Sequence, residues 1–177
     1  MRGSRHLRRA ASPSPSATGE RLGGYIYGTI IVISTIVAGA RAYTHALGHV
    51  ALLVFLTTVV FWLAHVYAHS LAQSVREDRH LSRAMLLDIA RHESSIIEAA
   101  LIPVGILMLG HWGLVKESTA VWLAIGAGLV ALVIQGLAFA RAERLGKLGT
   151  LAIVAVNLAL GVALVGLKLW VGHHPGA

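Results

Sequence analysis

The chain has 177 residues, 56% of them hydrophobic and 13% charged, with a mean hydropathy of +0.71. A soluble domain carries about a quarter of its residues as charges, so this composition excludes an ordinary water-soluble fold and makes lipid the expected solvent for much of the surface. There is no cysteine, which excludes disulfides, thiolate metal sites and thiol nucleophiles; the formal net charge of +7 rests on basic residues placed like topological anchors rather than like a nucleic-acid surface.

In chain order, residues 1–22 are polar and contain Arg2, Arg5, Arg8 and Arg9 followed by a Ser/Pro stretch. They read as a disordered basic cytoplasmic tail. Five apolar stretches follow, at about 23–43, 49–72, 95–115, 119–140 and 148–171, and a short tail, 172–177, ends the chain. Each stretch is near the ~20 residues that cross a bilayer core. A backbone in lipid must satisfy its own hydrogen bonds, and the runs are continuous rather than alternating, so helices are predicted. The predicted fold class is all-α, a polytopic membrane bundle of five transmembrane helices in one domain, 23–171.

Charge orients this bundle. Arg2, Arg5, Arg8, Arg9 and Arg21 precede the first stretch; Arg76, Arg79, Arg83 and Arg91 separate the second and third; Arg141, Arg144 and Lys147 separate the fourth and fifth. Only Arg41, Lys116 and Lys168 fall on the other side. The positive-inside rule then puts the N-terminus inside and the C-terminus outside. Arginine-rich, alanine-rich usage suggests a bacterium, hence a multi-pass protein of its inner (cell) membrane. Between stretches two and three, residues 75–92 place Leu81, Ala84, Met85 and Ile89 on one helical face and Arg76, Arg79, His80 and Arg83 opposite. Such an amphipathic cytoplasmic helix either lies in the headgroup layer, where it attracts anionic lipid, or packs under the bundle. Small residues recur in the spans, as at Gly24 and Gly28, at Ala120, Ala124, Gly128 and Ala131, and at Gly161 and Gly166. They permit close helix approach, within one chain or between copies of a homo-oligomer.

Ionisable groups inside apolar stretches are the functional candidates. His65 and His69 are four residues apart and so share a helical face. The alternating topology brings Glu98, one to two turns into the next span, to a similar depth. Two imidazoles and a carboxylate form a ligand set for a divalent metal such as zinc, iron or manganese. The same groups can relay protons, or simply join two helices. Asp88 and His92 extend the cluster or form a local ion pair. A second group, His45, His49 and His111, falls at the opposite ends of the helices and reads as interfacial residues or as an external metal or proton site. Pro103 predicts a kink in the third span, and Asn157 an interhelical hydrogen bond. No enzyme motif is present: there is no GxSxG, HExxH or phosphate-binding glycine loop.

Tyr27-Gly28-Thr29, the run Phe61 to His69 and the run Glu98 to Pro103 together resemble an uncharacterised family of actinobacterial integral membrane proteins, a resemblance that implies no activity. The layout of five spans with a helical insert after the second is also similar to the vacuolar iron transporter family, whose first span Gly28 to Ser34 faintly resembles. That family has an acidic residue in the first span and a glutamate-rich insert, whereas this chain has neither. The functional expectation is cation handling, of a metal ion or protons, through a His/Glu cluster. The alternative is a structural or accessory membrane protein that binds a partner or anionic lipid.

Overall fold

A computed structural model describes residues 15–43, 46–77 and 82–171. Every regular element among them is helical: α1 (Pro15–Ala42), α2 (Leu47–Glu77), α3 (Arg83–His92), α4 (Ser95–His111), α5 (Glu117–Ala142) and α6 (Lys147–Val171). Helix α1 begins at Pro15, so residues 15–22 are helical rather than a disordered tail. Proline is preorganised for a first helical position, where its missing N–H costs nothing. The predicted tails at 1–14 and 172–177 lie outside the described residues.

Further boundaries differ from the sequence expectation. Helix α2 runs on to Glu77, taking the start of the predicted linker helix, and α3 covers only Arg83–His92. Ser82 starts α3 as its N-cap, accepting a hydrogen bond from the Met85 N–H at 3.2 Å. Helix α4 stops at His111, four residues early. Gly113 takes φ +75°, with Leu114 N–H donating to Leu109 O at 3.0 Å and Gly113 N–H to Gly110 O at 3.1 Å. This paired pattern closes a helix on a left-handed residue. Pro103 is buried inside α4 without ending it. The sharp bend lies instead between α3 and α4, which meet at 47° around Glu93 and Ser94.

Among the described residues, four helices are individually long and apolar enough to cross a membrane: α1, α2, α5 and α6. Helix α4 has 17 residues, about 25 Å of rise, and joins them only when counted with α3 as one bent span, which makes five. Helix α1 is central, packing on α2, α4, α5 and α6, while α4 fills the space between α1, α2 and α5. Their core contains Val32, Ile33 and Ile36 of α1, Val50 and Val54 of α2, Leu107 of α4 and Leu132 of α5.

Much of the outer surface of the spans is apolar. Along α2, Val54, Thr58, Val66 and Ser70 are buried, whereas Leu52, Leu56, Val60, Leu63, Tyr67, Leu71 and Val75 form an exposed stripe at helical spacing. Helix α6 has 11% of its apolar stretch buried against 44% for α1. Water would penalise so large a continuous apolar patch, and a multi-pass membrane protein is compatible with it.

Several small residues of the spans serve contacts within the chain, whereas a Cβ at Gly166 would meet nothing within 4 Å. A Cβ at Gly28 would stand 2.7 Å from Ile96 O of α4, and one at Gly128 2.6 Å from Ile33 Cγ1 of α1. One at Gly161 would meet Leu129 and Leu132 of α5 at 2.8 Å. Asn157 of α6 is buried and its Nδ2 donates to Leu132 O at 3.4 Å, a polar tie between α5 and α6.

Candidate metal centre

The α3–α4 break shapes the site. Glu93 is the C-cap of α3, its N–H donating to Ile89 O at 2.9 Å. The bend carries its side chain inward, where it is only 7% exposed. There it meets α2: Glu93 Oε1 lies 3.3 Å from His69 Nδ1, and Oε2 3.5 Å from His65 Nε2. One ligand atom from each of the three residues can be chosen so that all lie within 4.8 Å of one another. Among the described residues this is the single group of three or more His, Asp or Glu side chains so arranged.

The surrounding contacts hold the three groups in place. Trp62, three residues before His65, donates its indole N–H to Ala90 O at 3.2 Å and ties α2 to α3 just before the break. The Tyr27 ring of α1 packs on His65 with centroids 6.1 Å apart and meets Phe61 edge-on at 6.2 Å. Gly24 of α1 borders the site: a Cβ there would stand 3.5 Å from Glu93 Oε2 and 2.6 Å from Ser95 Oγ. On its outer side the site is open: the His65 and His69 side chains are 44% and 35% exposed.

The geometry suits a small cation. In a tetrahedral site with bonds of ~2.0–2.1 Å, neighbouring ligand atoms stand about 3.3 Å apart. The two imidazole–carboxylate contacts, 3.3 and 3.5 Å, are each near that edge length but use different oxygens of Glu93, and a single shared oxygen stands within 4.8 Å of both nitrogens. They exceed the ~2.7–2.9 Å of a charge-assisted N–H···O bond. Two nitrogens and one carboxylate oxygen leave a fourth position for water or a further ligand.

The predicted carboxylate was Glu98, and the structure brings Glu93 to the imidazoles instead. Glu98 Oε1 accepts from Ser94 Oγ at 2.8 Å and from Arg21 Nη2 at 3.3 Å. Those bonds turn it toward α1, and it lies outside the group of three. Glu93 falls just outside an apolar stretch that begins at Ser95, so depth within that stretch does not point to it. Ser94-Ser95 after His92-Glu93 is the signal that marks it, because serines at a helix start announce a break. Asp88 and His92 are exposed on α3 and do not join the group.

Of the second predicted group, His45 lies outside the described residues. His49 stacks on Tyr43, with centroids 5.9 Å apart and planes at 12°. The His111 ring rests on Gly48, 3.0 Å from where a Cβ would be. His49 and His111 both line an apolar cleft of about 470 Å³ between α2 and α4, beside Phe55, Val104 and Met108. No third ligand joins them among the described residues.

Fold and site together define a helical bundle with a His/His/Glu group at a helix break. No protein-family model matches the chain, and neither a curated protein nor a solved structure is significantly similar to it.

Proposed function

We propose that this chain is a cation-binding protein of a bacterial inner membrane, with His65, His69 and Glu93 as ligands to a divalent transition metal. The membrane assignment rests on the outward apolar stripes and the long apolar helices. In this reading the α3–α4 pair is the third of five spans, and the basic residues at 76–91 and 141–147 face the cytoplasm. The basic residues of α3, Arg83, Arg91 and His92, then lie near anionic headgroups. The observation that carries the cation reading is the convergence of three ligand atoms within 4.8 Å on a buried carboxylate. Cation transport, in the sense of the vacuolar iron transporter layout, is the extension of this reading that liposome flux would test.

Titration of Co²⁺ and Zn²⁺ into the purified full-length protein tests it. Wild type binds one ion per chain. Glu93→Gln loses more than the roughly 10–100-fold that removal of a supporting partner costs, and Glu98→Gln retains wild-type affinity. Wild type that binds no metal would sink the proposal.

One observation favours a second reading. Glu93 already contacts both imidazoles, so the trio can act as a tie between α2 and the α3–α4 break in an accessory protein. A buried carboxylate needs such partners with or without a metal.

A further inference from the structure

Five described hydroxyls in this bundle follow one habit. Thr29, Thr35, Thr58, Ser70 and Thr150 each donate to the carbonyl four residues back, at 2.6–3.1 Å. Ser95 does not. It is 2% exposed, and its Oγ is the one buried side-chain oxygen or nitrogen among the described residues without a hydrogen-bond partner. The reason is local. Four residues before Ser95 is Arg91, on the far side of the α3–α4 break, so no continuous helical turn brings that carbonyl to the hydroxyl. The bend that swings Glu93 inward therefore also strips Ser95 of its backbone acceptor.

The free hydroxyl borders the metal centre. Ser95 Oγ and Glu93 Oε2 lie 2.6 and 3.5 Å from the same point, the position of a Cβ on Gly24. That Oε2 is the oxygen facing His65. A buried hydroxyl with no partner is unfavourable, and orphaned polar atoms in a fold ask for a water or an ion. Three protein donors leave a divalent metal one open position, which water fills in such sites. Water on a divalent cation is a strong hydrogen-bond donor, and a serine oxygen can accept from it.

We infer that the Ser95 hydroxyl holds a water molecule bound to the cation, completing the coordination that His65, His69 and Glu93 begin. The inference rests on the cation reading of that site. It makes Ser95 a positioning residue and identifies the ligand as an aquo divalent ion of the zinc–cobalt–iron–manganese class, selected by imidazole and carboxylate donors together. It also gives Gly24 a role, since a methyl group there would press on the Ser95 oxygen.

The test compares wild type with Ser95→Ala, as full-length protein in detergent, by Co²⁺ titration followed in visible absorption and by melting without metal. Ser95→Ala is expected to weaken Co²⁺ binding by about 10–100-fold, the usual effect of a partner outside the direct ligands. Its metal-free form is expected to melt no lower than wild type, because the removed hydroxyl had no partner. Equal Co²⁺ affinity in Ser95→Ala and wild type overturns the inference and leaves the three-ligand site standing. A lower metal-free melting temperature also overturns it, since the hydroxyl would then serve the fold itself. Wild type that binds neither Co²⁺ nor Zn²⁺ removes the site, and this inference with it.

Discussion

At the scale of residues, a carboxylate as buried as Glu93 is unfavourable unless it is paired, and both imidazoles of α2 are turned to it. The two readings of the trio predict different responses to metal. A ligand that binds the folded chain stabilises it, so ligation raises the melting temperature of the full-length protein when Co²⁺ is added in excess. A purely structural tie leaves the melting temperature unchanged by Co²⁺. Melting with and without the ion decides between them.

At the scale of elements, close helix approach holds the site in place. Gly28 lets α1 lie against the backbone of α4 at Ile96, the residue after Ser95 and the third after Glu93. Gly28→Ala is expected to destabilise the bundle by about 1–3 kcal/mol, the usual cost of overpacking a tight contact, and to weaken metal binding by displacing α4. Melting and Co²⁺ titration on the same sample check both effects. The end of α5 offers a change of opposite sign. Arg144 takes φ +52°, and Leu145 N–H donates to Ala140 O at 2.9 Å in the same closing pattern as at Gly113. A side chain in that left-handed region costs about 1–2 kcal/mol. Arg144→Gly is therefore expected to stabilise the protein by about 1 kcal/mol, read as a raised denaturation midpoint in detergent. Its exposed position keeps it away from the site.

At the scale of the whole molecule, the exposed apolar stripe of α2 and the thinly covered α6 leave an exterior suited to lipid. If α3 and α4 form one bent span, the N-terminal end and the α5–α6 connection share one side of the bilayer. The native chain has no cysteine, so single cysteines report topology without background. Gly146→Cys is expected to react with a membrane-impermeant thiol reagent only after the cells are opened, and Lys116→Cys in intact cells. The reverse pattern overturns the five-span, inside-positive arrangement, and labelling of both from one side means that α5 does not cross.

Composition and hydropathy alone determined that the described chain is helical and where its long helices run, because lipid-length apolar runs leave the backbone no other way to satisfy its hydrogen bonds. They also determined that His65 and His69 share a face, since a four-residue spacing is a property of any helix. Which carboxylate meets those imidazoles was decided only by tertiary structure. Depth in a span is legible from counting residues, but azimuth depends on how α3 joins α4, and a 47° bend redirects the side chain at its corner. Thus Glu98, in line with the span, is drawn to Arg21 and Ser94, while Glu93, at the corner, reaches the histidine pair. The same bend leaves the Ser95 hydroxyl without its helical acceptor, a consequence of geometry that no residue count contains.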